Sequence, residues 1–444
     1  MIVLVVLHTP YVNGPWYWMW GWQRLPFWRA WPGVICAAVP FAAAQLIFAK
    51  SSAPTRARVA IALGAVMMAM LILQLNTLVI AAGRNAPDRL WGIVEDSRVT
   101  SYYTDALLTY KVIPKLKDWF ALFPEFIGRL HIHSRNKPPG PMLYYLAFAE
   151  TFPTDHHQAA SLAGLVLGIV ATAAIPATFF FARAIGTNLA ASFLAASAMA
   201  LCPGGIVFFP ELDQTYAVAS GLILGSWVLS LRRDSNSWAL LCGTLLAAAC
   251  FFTFNLLVLG WFMAGAGLYL WKGDRVCTLR RVLTAGAITV GVVVIVHVGL
   301  WAWLRYNVIA TFNAGVANQA AFNANIARPY PQTALFDLLD YALGLGWMSA
   351  LLFLGASVTG RNTTERQRAW WWLAASQLFV VAVGAILAVE TARVWIFMFP
   401  LVLPIVGREL ERWSSRQHAI FYAIALITIV VIVQNMIFFS PATE

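Results

Sequence analysis

Three observations predict an all-α polytopic membrane protein. Of 444 residues, 60% are hydrophobic and only 11% are charged, where a soluble globular chain carries about 25% charged and about 45–50% apolar residues. Apolar runs of about 20 residues, the length a spanning helix needs, recur along the whole chain. Twenty Trp, 28 Phe and 13 Tyr suit a chain with many membrane–water interfaces, where amphipathic rings settle. Disordered, collagen-like and small secreted classes are excluded. The five cysteines (Cys36, Cys202, Cys242, Cys250, Cys277) lie in or beside apolar runs without CxxC spacing. They read as small hydrophobes, so neither a disulfide framework nor a metal cage is indicated.

Residues 1–31 come first and carry Trp16, Trp18, Trp20, Trp22, Trp28 and Trp31 among Pro10, Gly14 and Pro26. A cleavable signal would need a basic start and a longer apolar core, so an interfacial aromatic segment is expected. With the first membrane helix it makes an N-terminal unit, 1–58. Spans follow near 33–49, 59–82, 160–181, 188–209, 215–231, 282–304, 341–359, 369–388 and 417–438, with a short run at 394–407. The stretch 237–271 is too long for one helix and has basic flanks on both sides, Arg232-Arg233 and Arg275, Arg280, Arg281. Two short helices turning near Asn255 keep both flanks on one side, for a total of about twelve transmembrane helices.

Orientation follows from the positive-inside rule. Loops 50–58, 182–187, 232–236, 272–281, 361–368 and 408–416, placed in the cytoplasm, hold 16 Lys/Arg against 5 Asp/Glu, and the rest of the chain has 14 of each. The net charge of +11 therefore sits on the inner face, which removes the one argument for a nucleic-acid partner. Parity makes the proline-led apolar segment near 138–152 a re-entrant or interfacial helix. Residues 83–158 become one structured outer loop within a membrane domain spanning 59–438.

Ionisable groups cost about 2.5–3.5 kcal/mol each inside a bilayer, and the polar residues gather on the outer side. The first outer loop reads Glu95-Asp96-Ser97-Arg98-Val99-Thr100-Ser101-Tyr102-Tyr103-Thr104-Asp105. Such carboxylates can take a proton from an acceptor hydroxyl or hold a divalent cation, or can cap helices in a solvated loop. Next comes His131-Ile132-His133-Ser134-Arg135-Asn136-Lys137-Pro138-Pro139-Gly140-Pro141. Its imidazoles, guanidinium and ammonium suit a phosphate at headgroup level, and the prolines restrict the backbone that carries them. Glu390 and Arg393 stand three apart at the mouth of the 394–407 span and could share a helix face. There Arg393 could meet a lipid phosphate or serve as a snorkelling anchor. Pro210-Glu211-Leu212-Asp213-Gln214 reads as an acidic outer turn, and His297 as a helix-packing residue. No GxxxxGK[ST], HExxH or GxSxG motif occurs.

The order of these motifs resembles the GT-C superfamily of integral-membrane glycosyltransferases, within it the dolichyl-phosphate-mannose protein mannosyltransferase and aminoarabinose-transferase branch. The likeness is carried by the acids and Tyr102-Tyr103, by His131-x-His133…Lys137-Pro-Pro-Gly-Pro, by Pro210…Asp213, and by Glu390-Thr-Ala-Arg393-Val-Trp-Ile-Phe-Met-Phe-Pro. The family's usual Asp-Glu-x-Tyr-Tyr has Val99-Thr100-Ser101 before the tyrosines here. The resemblance implies a GT-C-like fold and a transferase using a polyprenyl-phosphate-linked sugar donor on the non-cytoplasmic face. It also implies a first-loop carboxylate as base, Asp96 first with Glu95 and Asp105 as rivals. His131, His133, Lys137 and Arg393, beside Tyr102 and Tyr103, would hold the lipid phosphate. No metal ligand set is assigned, although the three-acid cluster could take a divalent ion, and the acceptor is unspecified. Displacing a polyprenyl phosphate at an anomeric carbon needs a carboxylate for the acceptor's proton and fixed positive charge for the departing phosphate, and both residue types are present. A transporter or flippase of an anionic or lipid-linked substrate is the rival class. It would favour internal repeats and midplane ionisable residues, whereas the polar groups here gather at one face.

Overall fold

The fold is described from a computed structural model, which covers residues 27–49, 54–96, 100–325, 330–358, 364–385, 387 and 390–435. Most of the Trp-rich N-terminal segment lies outside the described residues, as do Ser97, Arg98 and Val99. Among the described residues the regular structure is helical, with no strand. In chain order the helices are α1 (Ala30–Ala49), α2 (Arg56–Ala82), α3 (Ala86–Glu95), α4 (Tyr102–Val112), α5 (Leu116–Phe126) and α6 (Gly140–Thr151). Then come α7 (His156–Thr172), α8 (Ala174–Ala184), α9 (Leu189–Met199), α10 (Tyr216–Arg232), α11 (Asn236–Phe252), α12 (Gly260–Leu268) and α13 (Leu279–Leu304). The last are α14 (Val308–Asn325), α15 (Gln332–Leu345), α16 (Trp347–Val358), α17 (Glu365–Val383), α18 (Phe399–Glu411) and α19 (Ser415–Asn435). Short 3-10 turns connect several of them.

Six stretches among the described residues are long and apolar enough to cross a bilayer, and the pair α15–α16 makes a seventh if taken as one broken span. α9, α11 and part of α19 are shorter apolar helices. The chain is an integral membrane protein. Three expected spans are interrupted, each for a local reason. The run 188–209 stops being helical at Met199, because Pro203 disfavours the helical conformation in Cys202 before it. The run 341–359 is broken by a 113° bend at Gly346, whose φ of 91° lies where side chains are strained. The run 394–407 begins with a 3-10 turn over Ile396–Met398 and becomes α-helical only from Phe399, with Pro400 in the first turn where a missing N–H costs nothing. In contrast, 237–271 does split into two short helices, α11 and α12, joined by Thr253, Phe254 and a 3-10 turn over Asn255–Leu259.

The bundle core is built by α9 packing on α8 and α18, and by α10 packing on α8 and α11. α13 leans on α11 and otherwise exposes its apolar surface, with Val294, Ile295, Trp301 and Trp303 largely uncovered. A strip of this kind faces hydrocarbon rather than water. The basic loops meet at one end of the bundle. There Arg366 pairs with Asp274 at 2.7 Å, Arg281 with Asp234 at 3.2 Å, and Arg232 donates to the Ala184 carbonyl at 2.7 Å. α10 runs to that end and α11 returns from it, so Asp213, before α10, and Thr253, after α11, lie together at the opposite end. α6, twelve residues and about 18 Å long, is too short for a hydrocarbon core of about 30 Å.

Candidate active site

The first-loop acids and the His-Lys segment are tied together locally. Asp105 sits in the first turn of α4, and its carboxylate accepts from the His131 backbone N–H at 3.1 Å and contacts His131 Nδ1 at 2.6 Å. Ser101, left-handed at φ 54° just before α4, joins its hydroxyl to that of Ser134 at 2.8 Å and accepts from the Ser134 N–H. The residues between follow a 3-10 turn over Ser134–Asn136, with His133 half-buried at its start. α14 holds this turn from outside: Asn318 donates to the Arg135 carbonyl, and Asn136 donates to Gln319.

Lys137 leaves the turn and points inward. Its Nζ lies 3.3 Å from Asp213 Oδ1, 3.4 Å from Thr253 Oγ1 and 5.1 Å from the centre of the Tyr216 ring. Arg393 reaches the same carboxylate from the other side of the fold, its Nε 3.7 Å from Asp213 Oδ2. Arg393 Nη1 also donates to both oxygens of Glu211 at 2.7 Å, and Nη2 pairs with Glu390. Asp213 therefore bridges two cations that are 256 residues apart, from Lys137 to Arg393. Two cations face three carboxylates, an arrangement net negative by one when all are ionised. The Tyr102 phenol lies fully buried beside it: burial, then the Asp213 and Glu211 carboxylates, push its pKa well above the ordinary value.

Glycine and aspartate shape the backbone here. A Cβ on Gly204 would come within 2.4 Å of the Ala392 carbonyl oxygen, and one on Gly344 within 2.6 Å, so both glycines let the turn carrying Arg393 sink into the bundle. Asp340 fixes that turn by accepting from the Ala392 N–H at 2.9 Å.

The acidic segment 210–214 corrects its sequence reading. It is a turn, but it is more than that: Glu211 and Asp213 are buried and are the main partners of Arg393 and Lys137. The available signal was their position, since carboxylates abutting an apolar helix start have little water to turn to. Thr253, Tyr216 and Asp340 carried no motif and could be found only from the fold. Of the expected bases, Asp105 is engaged with His131, Glu95 lies 3.4 Å from His157 Nδ1, and Asp96 caps the end of α3, half-buried. Tyr103 donates to the His156 carbonyl at 3.1 Å. Burial and the Glu95 and Asp155 carboxylates push its pKa up to about 12, so it is a neutral anchor. Among the described residues no three of His, Cys, Asp and Glu converge to hold a metal ion, so no residues are assigned to a divalent cation.

No family model matches the sequence, and no curated protein matches it significantly. Solved structures do match. ArnT from Cupriavidus metallidurans in the apo state aligns with a TM-score of 0.45 at 15% identity, over 72% of this chain and 61% of that one. The same protein bound to undecaprenyl phosphate gives 0.44 at 15%, over 73% and 62%. The Archaeoglobus fulgidus oligosaccharyltransferase, tethered with an acceptor peptide containing the NVT sequon, gives 0.51 at 12%, over 83% and 54%. The chain spans about six tenths of the ArnT length and about half of the oligosaccharyltransferase. At these identities the likeness concerns the fold alone, which the chain shares with the oligosaccharyltransferase.

Proposed function

We propose that the protein transfers a sugar from a polyprenyl-phosphate-linked donor to an acceptor on the non-cytoplasmic face of a bacterial-type plasma membrane, with inversion at the anomeric carbon. The observation that carries this reading is the buried cluster of Lys137, Arg393, Asp213, Glu211 and Glu390, set at the end of the bundle away from the basic loops. The GT-C fold shared with an oligosaccharyltransferase supports it.

The chemistry needs few parts. An acceptor oxygen attacks the anomeric carbon, the bond from that carbon to the phosphate oxygen breaks, and the polyprenyl phosphate leaves with the electron pair. Lys137 and Arg393 stabilise the growing phosphate charge. To do so Arg393 gives up one partner, and Glu390, the most exposed of its three carboxylates with its side chain a third accessible, is the one to yield. The acceptor's proton goes to a first-loop carboxylate, Asp96 in the leading assignment, with Glu95 as a rival. A second assignment is favoured by the Asp105–His131 contact: Asp105 would hold the ring so that its other nitrogen takes the proton. His133, in the same segment as Lys137, would contribute a further donor to the phosphate.

The test uses the purified protein in lipid with a panel of radiolabelled polyprenyl-phosphate sugars, following label as it leaves the lipid. Asp96→Asn abolishing release while the donor still binds assigns the base to Asp96. Full activity in Asp96→Asn, with loss in both Asp105→Asn and His131→Ala, assigns it to the pair. Label crossing the bilayer intact, with no release from any donor, replaces the transferase with a flippase.

A further inference from the structure

A second charged cleft lies at the basic end of the bundle, between α16, the start of α17 and the end of α18. It encloses about 500 Å³ of non-atom space, part of it open to solvent, and Arg368, Arg408, Arg412, Trp371 and Trp372 line it. The helix period explains the arrangement: Arg368 precedes Trp371 and Trp372 by three and four residues on α17, and Arg408 precedes Arg412 by four. Two arginine-bearing faces therefore open onto one space.

The charges do not balance. Glu409 also lines the cleft, but both its oxygens are taken by Arg412 at 3.0 Å. Arg366 nearby is engaged by Asp274. Arg408 makes no hydrogen bond or ion pair among the described residues. Burial, followed by the Arg366 guanidinium, lowers its pKa to about 10 against the opposing pull of the Glu411 carboxylate, so it stays charged at neutral pH with no carboxylate in direct contact. A half-buried cation in that position gains from a phosphate, whose oxygens accept several charge-assisted hydrogen bonds at once. The surroundings are those of a membrane interface: Trp372 is 64% exposed, and Leu351 and Leu354 on α16 are uncovered, offering apolar surface beside the cleft.

We propose that this cleft binds a phosphate group, supplied by the headgroup of an anionic phospholipid or by free inorganic phosphate. Basic pockets between membrane helices take anionic headgroups in this way. The site is separate from the carboxylate–arginine cluster and does not depend on the transfer reaction.

The experiment measures retention of spin-labelled phosphatidylglycerol by the purified full-length protein in phosphatidylcholine nanodiscs, with Arg408→Gln compared to wild type. Loss of one guanidinium should weaken retention about tenfold. Should Arg408→Gln fail to fold, Arg368→Gln and Trp372→Ala, both on the exposed rim, take its place and should weaken retention likewise. Displacement of the label by inorganic phosphate, with phosphate binding lost in the same variants, identifies free phosphate as the source. Equal retention in wild type and variants, without arginine-dependent phosphate binding, overturns the site.

Discussion

Arg393 is the residue on which the candidate active site turns. Its guanidinium is buried against Glu211, Asp213 and Glu390, and desolvating so many charges is tolerable only while they compensate one another. Removing the cation strands the carboxylates, so Arg393→Ala should lower stability by about 3–5 kcal/mol and weaken donor affinity. Adding Glu211→Gln to the same chain should restore part of the stability, because it removes the better-paired of the stranded charges. Thermal unfolding of the two single variants and the double variant measures this coupling. Additive losses would show that the two side chains act independently. The sequence placed Arg393 beside Glu390, three residues away, but its strongest partner lies 182 residues upstream. No spacing rule reaches that far.

At the scale of elements, the site depends on how closely helix ends approach one another. Gly140 begins α6, and a Cβ there would lie 2.3 Å from the Phe251 carbonyl oxygen near the end of α11. That contact keeps Lys137, three residues upstream, within reach of Thr253 just beyond α11. Gly140→Ala should push the two ends apart, costing about 1–3 kcal/mol as an overpacked contact does, and should slow label release. A thermal midpoint and a release rate both equal to wild type would show that the approach is not needed. The break of 237–271 into α11 and α12 was legible because two basic flanks cannot sit on opposite faces. The 113° bend between α15 and α16 was not: Gly346 is one glycine among 30, and hydropathy alone does not say which of them turns.

At the scale of the molecule, charge asymmetry organises the bundle. The loops carrying Arg232, Arg281, Arg366 and Arg408 converge at one end, where Asp234 and Asp274 pair with two of them. The proposed orientation makes that end cytoplasmic. In a chain whose native cysteines are replaced, Thr154→Cys should react with an impermeant thiol reagent on intact cells, and Ser235→Cys only after the membrane is opened. The reverse pattern would invert the topology and place the candidate site on the cytoplasmic side.

Composition and the period of apolar runs determined the class of this protein, all-α and membrane-embedded, because bilayer thickness and backbone hydrogen bonding leave a long apolar segment few alternatives. Motif order also suggested the fold it resembles, and it singled out Asp105, His131, Lys137 and Arg393 as candidate site residues. Only the tertiary structure decided which of these groups meet. It paired Asp105 with His131, and it buried Glu211 and Asp213 of the acidic outer turn against Arg393 and Lys137. The physical reason is that a charge leaving water must find its counterion in space, and the partner it finds is set by where helix ends converge.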